Sequence, residues 1–135
     1  MASNEANCAA ISAEVCAELY NLVIIDRDIQ DQNVNTTRFF VIGLESDEPT
    51  GEDKTLVMIT LDQRQPGGLC DALSVFKKEN INITKVDSRP IPGKRWEYYF
   101  FIEFEGHFKN PNPASALTEL QKYCVDVKVM GSYPK

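Results

Sequence analysis

Residues 95–105 carry the pattern that most constrains the fold, because large side chains recur there at every second position. Successive side chains of a β-strand point to opposite faces of a sheet, so this alternation predicts a strand. One face carries Tyr98, Phe100, Ile102 and Phe104, and the other carries Tyr99, Phe101, Glu103 and Glu105. The second face is only partly apolar. We therefore expect a second copy of the domain, or the N-terminal segment, to cover it in part.

Three other segments have the character of strands: residues 55–61, residues 81–86 and residues 125–129. Two segments have helical spacing, and each buries one apolar stripe. The first stripe consists of Leu69, Ala72, Leu73 and Phe76, and the second consists of Ala116, Leu117, Leu120 and Tyr123. The second helix is expected to begin at Asn112-Pro113, with Asn112 as its N-cap. In the last strand, Val125, Val127 and Val129 are predicted to point one way.

The resulting order over residues 54–134 is β-α-β-β-α-β. This order predicts an α+β, ferredoxin-like fold, in which an antiparallel sheet carries two helices on one face.

The N-terminal third of the chain is less regular. Small residues at helical spacing predict a helix over residues 3–20, and short apolar runs predict strands at 22–25 and 37–44. The acidic residues 45–53 include one proline and one glycine and no large apolar side chain, which is typical of a linker. We therefore divide the chain into residues 1–44, a linker at 45–53, and a second domain at 54–135.

Composition excludes several classes of function. The net charge of −6 and the pI near 4.8 argue against nucleic-acid and anionic-membrane partners, which require a positive excess. No C-x-x-C pair occurs among the four cysteines, and His107 has no ligand-type neighbour at metal spacing. We expect no metal and no cofactor.

The chain shows neither an export signal nor an apolar run of membrane-spanning length, so we expect a cytoplasmic protein, with a plastid as the alternative.

Residues 66–69 (Pro-Gly-Gly-Leu) follow a predicted strand and open a predicted helix. Glycines let the backbone approach a ligand closely, and the free N–H groups of a helix start suit a carboxylate. An ordinary tight turn between strand and helix is an equally good interpretation.

Residues 87–90 (Asp-Ser-Arg-Pro) end a second predicted strand, because Pro90 disfavours helical dihedrals in its predecessor. Asp87 and Arg89 could bind the ammonium and the carboxylate of an amino acid. Alternatively, they share one side of the strand and pair with each other, a contact of only about 0–1 kcal/mol when exposed.

Residues 35–39 (Asn-Thr-Thr-Arg-Phe) lie where a polar loop enters a predicted strand. A threonine hydroxyl there could donate a hydrogen bond to a leaving oxygen, and Arg38 could bind a carboxylate through two hydrogen bonds. From the residues alone, a simple strand start is the stronger interpretation.

Taken in order, these segments resemble the C-terminal part of prephenate dehydratase, which converts prephenate to phenylpyruvate on the route to phenylalanine. Four stretches are similar to the end of the family's catalytic domain: residues 8–12, 17–22, 29–31 and 35–39. Three stretches are similar to the family's regulatory ACT domain: residues 66–69, 87–90 and 127–134.

The resemblance implies roles for particular residues. Thr37 would be the catalytic hydroxyl that assists loss of the ring hydroxyl of prephenate, with Arg38 and Phe39 shaping the site. Two ACT domains would pair and bind L-phenylalanine between them as an allosteric ligand. One subunit would contribute Gly67, Gly68 and Leu69, and the other would contribute Asp87, Ser88, Arg89 and Pro90.

The chain departs from the family pattern at three points. The usual Gly-Ala-Leu-Val is Gly67-Gly68-Leu69-Cys70 here, and Asp87 replaces the glutamate of Glu-Ser-Arg-Pro. Most of the catalytic domain has no counterpart, so we expect a partial chain without dehydratase activity of its own. The alternatives are a phenylalanine-sensing ACT module, an arogenate dehydratase, and the regulatory domain of an aromatic amino acid hydroxylase. The Thr37-Arg38-Phe39 segment argues against the hydroxylase.

Overall fold

The computed structural model describes residues 8–32, 34, 36–62 and 64–135. The chain forms two compact units, Met1–Phe40 and Val41–Lys135. The first unit contains one short helix, α1 (Val15–Tyr20). No helix in the described part of the chain has the length and apolar character needed to cross a membrane.

The second unit contains four strands and two helices. The strands are β1 (Asp53–Thr60), β2 (Ile83–Pro90), β3 (Tyr98–Glu105) and β4 (Asp126–Pro134). The helices are α2 (Gly68–Lys78), between β1 and β2, and α3 (Pro111–Leu120), between β3 and β4. The sheet order is β2-β3-β1-β4, and every neighbouring pair is antiparallel. The predicted α+β, ferredoxin-like order is confirmed.

The core lies between the two helices and one face of the sheet. It contains the inward side chains of β1 and β3 and the apolar stripes of both helices, namely Val57, Ile59, Ile102, Phe104, Ala72, Val75, Phe76, Ala116 and Leu120. The rings of Phe76 and Phe104 meet with centroids 4.9 Å apart. The alternation in β3 therefore identified the buried face of this strand correctly, since Ile102 and Phe104 are fully buried.

The opposite face of the sheet, here called the open face, carries the other half of each strand. The register pairs Lys54 with Glu105, Leu56 with Glu103 and Met58 with Phe101 across β1 and β3. A bulge between Leu56 and Val57 changes the pairing with β4, so that Met130 is the extra residue. Most residues of this face that lie on the two central strands are half-buried.

Several predicted boundaries were wrong. The described residues 8–14 are not helical, and α1 begins only at Val15; residues 3–7 of the predicted helix lie outside the described residues. The predicted strands at 22–25 and 37–44 do not form in the described residues. An extended segment becomes a strand only when another strand pairs with it, and all pairing in the described residues involves β1 to β4.

The second helix begins two residues earlier than predicted. Its N-cap is Asn110, with extended dihedrals, and Pro111 is its first residue, so Asn112-Pro113 lies inside the first turn. Tyr123 lies beyond α3 and is 42% exposed, and Val125 precedes β4 and is 72% exposed. Of the three valines predicted to point one way, only Val127 packs against the core.

Candidate ligand-binding site

The start of α2 is exposed backbone. Gly67 is the N-cap and has left-handed dihedrals (φ 83°, ψ −5°), which glycine adopts without the steric cost of a Cβ. No side chain of the described residues caps the helix, and a Cβ built on Gly67 or Gly68 would meet no atom within 4 Å. Free N–H groups at a helix start attract an anion through hydrogen bonding and the helix dipole. This position can therefore accept a carboxylate.

The loop before α2 contains an ion pair that the sequence analysis did not single out. Arg64 donates to Asp62 through its backbone N–H, Nε and Nη2, each at 3.0 Å. These hydrogen bonds lower the pKa of Asp62 to about 2. The Asp62 carboxylate in the loop before α2 is thus already paired with a cation, which reduces its repulsion of an incoming anion.

The second motif ends β2 and divides its side chains between the two faces of the sheet. Asp87 and Arg89 pair with Phe101 and Tyr99, so they belong to the open face, whereas Ser88 pairs with Phe100 on the helix side. Arg89 Nη2 lies 3.1 Å from Asp87 Oδ2, and Lys85 Nζ lies 3.8 Å from the same oxygen. The internal ion pair, one of the two alternatives from the sequence, is thus formed in this structure.

The two motifs lie at the same end of the sheet. Tyr99 of β3 pairs with Thr60 at the end of β1 and with Arg89 at the end of β2. Two strand spacings, roughly 10 Å, therefore separate the strand that leads to α2 from the strand that carries Asp87. Within one chain, the Asp87 and Arg89 side chains and the α2 start lie on opposite sides of the sheet. A ligand that contacts both groups would need a second copy or a rearrangement.

The Thr37-Arg38-Phe39 segment lies in the other unit. Thr37 is exposed, and Phe39 is 83% exposed. The Arg38 guanidinium lies 4.9 Å from the centroid of the Phe40 ring, a cation–π contact. Asn35, which belongs to the same motif, lies outside the described residues. No group of three His, Cys, Asp or Glu side chains within the described ranges could hold a metal ion.

His107 is a residue whose structural importance the sequence did not reveal, since its sequence neighbours indicated no metal site. It is fully buried, and its Nδ1 accepts a hydrogen bond from Lys109 N at 3.1 Å. Nε2 therefore carries the proton and donates to the Asp47 carbonyl at 2.9 Å. Lys109 Nζ also pairs with Glu48 at 2.8 Å. These contacts attach the segment before β1 to the turn between β3 and α3.

Asp53 fixes the same segment from the other side. Its carboxylate accepts hydrogen bonds from the Thr50 hydroxyl at 2.6 Å, from Thr50 N at 3.0 Å and from Gly51 N at 3.1 Å. The Thr50 hydroxyl is the largest cause of the lowered pKa of Asp53. We call residues 46–52 the strap, because its contacts hold it against the domain.

Comparison with known proteins matches both units to families. Residues 1–47 match the prephenate dehydratase family, and residues 55–122 match the ACT domain family. A bifunctional chorismate mutase/prephenate dehydratase from Aquifex aeolicus (strain VF5) is 43% identical over 135 residues, which are 100% of this chain and 37% of the relative. The chain thus spans little more than a third of that relative's length.

Two solved structures share the fold. A prephenate dehydratase from Arthrobacter aurescens, in complex with L-Phe, superimposes with a TM-score of 0.61 at 32% identity, covering 67% of this chain and 30% of that one. GqqA, described as a novel type of quorum quenching acylase, superimposes with a TM-score of 0.62 at 26% identity, covering 70% of this chain and 48% of that one. The chain belongs to the ACT domain family, and the segment before that domain matches the prephenate dehydratase family.

Proposed function

We propose that the ACT domain of this chain binds L-phenylalanine as an allosteric ligand, in a dimer whose seam contains both motifs. The observation that carries the proposal is the uncapped, open start of α2 at Gly67-Gly68, in a family member whose solved relative was captured with L-Phe. The carboxylate of the ligand would accept hydrogen bonds from backbone N–H groups at this helix start.

The second subunit would supply Asp87, Ser88, Arg89 and Pro90. In the structure, Asp87 is held by Arg89 at 3.1 Å and by Lys85 at 3.8 Å. The ligand ammonium must therefore join or displace these cations. Leu69 is half-buried at the second position of α2 and offers an apolar surface to the ring. Asp87 in place of the family's glutamate shortens the reach of this carboxylate by one methylene, which affects affinity and effector choice.

Calorimetry with L-phenylalanine on the full chain tests the site. Arg89→Ala should weaken binding, because it removes both a possible ligand contact and the main partner of Asp87. Arg95→Ala is the matched control, since Arg95 is an exposed arginine outside both motifs. Binding to the folded form should also raise the melting temperature. If Arg89→Ala and Arg95→Ala bind the ligand as tightly as the native chain does, the assignment of residues 87–90 is wrong.

We also propose that residues 1–44 are the end of a dehydratase catalytic domain. In the complete enzyme, prephenate would lose carbon dioxide and its ring hydroxyl together, giving phenylpyruvate and water. Thr37 would donate a hydrogen bond to the departing hydroxyl, which is the step where a general acid helps. Arg38 and Phe39 would shape the site. The cytoplasm is the proposed compartment, because Cys16, Cys70 and Cys124 are free thiols.

An assay of residues 1–135 with prephenate tests whether this chain is only a phenylalanine-binding module or is itself an active dehydratase. We expect no phenylpyruvate, because the chain spans 37% of its Aquifex relative. Phenylpyruvate formation that Thr37→Val abolishes would show that the short chain is itself an enzyme and not only a phenylalanine-binding module. Parallel assays with arogenate, in a longer chain that is active, would identify the substrate.

A further inference from the structure

The strap is held against the ACT domain in two halves, by two different parts of the domain. The first half, residues 46–49, contacts the turn between β3 and α3 through the Asp47 carbonyl and the Glu48 carboxylate. The second half, residues 50–52, contacts the Asp53 carboxylate at the start of β1 through Thr50 and Gly51. Because the halves depend on different groups, one half can be released while the other stays bound.

His107, the single histidine of the chain, has both ring nitrogens engaged in the first half of this attachment. Nδ1 accepts a hydrogen bond from Lys109 N at 3.1 Å, and Nε2 donates to the Asp47 carbonyl at 2.9 Å. The ring is fully buried and stacks on Phe108, with centroids 4.7 Å apart. A second proton on the ring would have to sit on Nδ1, where it would meet the Lys109 N–H. Two donors would then point at each other, so this site fits only the neutral ring.

The charged groups that face the ring do not offset this conflict. Lys109, from the same turn, is a cation and would repel a charged imidazole. Glu48 from the strap and Asp53 from β1 would attract it, but His107 is the smallest influence on the pKa of either carboxylate. The hydrogen bond with Lys109 is the largest cause of the lowered pKa of Glu48, and the Thr50 hydroxyl is the largest cause for Asp53. Each carboxylate thus already has a stronger partner than the imidazole.

From these contacts we infer that the first half of the strap is an acid-released latch, which neutral His107 holds and which is freed when the imidazole takes up a proton. Movement of the Asp47 carbonyl away from the ring opens Nε2 to water, and a charged imidazole needs this hydration. Release adds residues 46–49 to the exposed residues 41–45, which connect the first unit to the strap. Acid therefore lengthens the free connection that precedes the ACT domain.

The size of the effect follows from proton linkage. A histidine in water takes up its proton near pH 6.5, whereas the ring in the closed latch takes up none. Only the open state binds the proton, so the equilibrium constant for opening should rise about thirtyfold from pH 7.5 to pH 5. The second half of the strap should not respond in this range, because the pKa of Asp53 lies below 3.8 and its carboxylate stays ionised.

Cleavage of the full chain by a glutamate-specific protease at pH 7.5 and pH 5 tests the latch. Cleavage after Glu45 requires a free first half, because a protease binds extended residues on both sides of the bond, and the rate follows the open population. His107→Gln is the matched control: glutamine keeps an N–H donor for the Asp47 carbonyl but takes up no proton. The ratio of the native rate to the His107→Gln rate removes the protease's own dependence on pH. We expect this ratio to rise about thirtyfold at Glu45 on acidification and to stay constant at Glu52.

Glu48→Gln separates the imidazole from the ion pair. This variant removes the charge that pairs with Lys109, so cleavage after Glu45 should be faster at both pH values. Its dependence on pH should remain that of the native chain. Loss of the pH dependence in Glu48→Gln would overturn the inference, because Glu48 and not His107 would then be the titrating group.

Hydrogen exchange in the native chain provides a second measurement that does not depend on the folding of His107→Gln. After correction for the intrinsic exchange rate at each pH, protection of the Lys109 amide should fall about thirtyfold from pH 7.5 to pH 5. The Thr50 and Gly51 amides, which donate to Asp53, should keep their protection. Equal responses of these three amides, or a ratio of cleavage rates that does not change with pH, would overturn the inference. The ligand motifs lie at the other end of β1, so a failure of L-phenylalanine binding would contradict the proposed function alone.

Discussion

The two adjacent glycines at the start of α2 should respond to alanine with opposite signs. Gly67 has a φ of +83°, where any L-residue is strained, whereas Gly68 has no positive φ and is the first residue of the helix. Neither position is crowded, since a Cβ at either glycine would have no neighbour within 4 Å. The difference between the two variants therefore isolates backbone conformation from packing.

The magnitudes follow from this geometry. Gly68→Ala should raise the free energy of unfolding by about 0.4–1 kcal/mol, because alanine restricts the unfolded chain and suits a helix. Gly67→Ala also restricts the unfolded chain, which stabilises the fold by the same amount. However, holding alanine in left-handed dihedrals costs about 1–2 kcal/mol of unfolding free energy. The net result should be a loss of several tenths to about 1.5 kcal/mol. For a domain of this size, each kcal/mol moves the melting temperature by about 4–8 °C.

Urea unfolding of both variants, followed by circular dichroism, measures these changes. The slope of free energy against urea should stay at its native value, because neither substitution alters the buried surface. Gly51→Ala is a control for strain away from the site, because Gly51 also has a positive φ (+98°) and an open surrounding. It should destabilise the fold and leave L-phenylalanine binding unchanged. Destabilisation by Gly68→Ala, or a neutral Gly67→Ala, would refute the described helix start.

Further measurements test three buried or half-buried groups. Burial raises the pKa of Cys124 from 9.0 to about 11, so at pH 8 its thiolate fraction and its rate with a disulfide reagent should be about a hundredfold below those of an ordinary thiol. Asp53 has a pKa below its ordinary value of 3.8 in the folded protein. Its ionised carboxylate therefore stabilises the fold above pH 3.8, and this stabilisation should be lost as the pH falls through the lower pKa of the folded state. Asp53→Asn should flatten that acid dependence of the melting temperature. His107→Phe keeps an aromatic ring but removes both hydrogen bonds of the imidazole, so it should lower the free energy of unfolding by about 1–3 kcal/mol. The strap should then be cleaved faster by a glutamate-specific protease. An unchanged cleavage rate would show that His107 does not hold the strap.

The order of elements in the ACT domain was predictable because its signals are periodic and local. Ile102 and Phe104 are buried on the face that the alternation of β3 indicated. Ala72 and Phe76 are likewise buried in α2, as the helical spacing indicated. In both cases, the pattern that forms the element is the same pattern that buries it, so the sequence alone suffices.

Boundaries were less predictable where two signals compete. The chain contains two successive Asn-Pro pairs, at 110–111 and 112–113, and either could cap a helix. The structure uses the first pair, where Asn110 is extended and its N–H donates to the His107 carbonyl at 2.9 Å. That choice depends on the turn around a buried histidine, which no local pattern reveals.

The candidate site was predictable in its residues but only partly in its arrangement. The spacing identified Gly67 as the start of a helix, and strand parity identified the possible pair of Asp87 with Arg89. Sequence could not reveal that these two side chains and the α2 start lie on opposite sides of the sheet, because that depends on the register between β2 and β3. It also could not reveal the strap, since the acidic composition of residues 45–53 is typical of a linker while its contacts come from His107 and Asp53.

Glu103 shows how far position in the sheet can override residue type. Alternation placed it on a polar face, yet it is 1% exposed, and its partners Thr84, Lys54 and Tyr133 come from the other three strands. Lys54, with a side chain 19% exposed, lies 3.0 Å from its carboxylate. Removing one member of such a pair leaves a buried charge without its counter-ion, whereas replacing both members removes the desolvation cost as well.

A double-mutant cycle at this pair should therefore be strongly non-additive. Lys54→Met alone should cost about 3–5 kcal/mol of unfolding free energy, and Glu103→Leu combined with Lys54→Met should cost far less. Tyr133→Phe is the graded control, since it removes one hydrogen bond to the same carboxylate and should cost about 1.5–3 kcal/mol. Additive costs in the cycle would mean that water, and not Lys54, balances the charge of Glu103. In that case the open face would be more hydrated than its burial indicates.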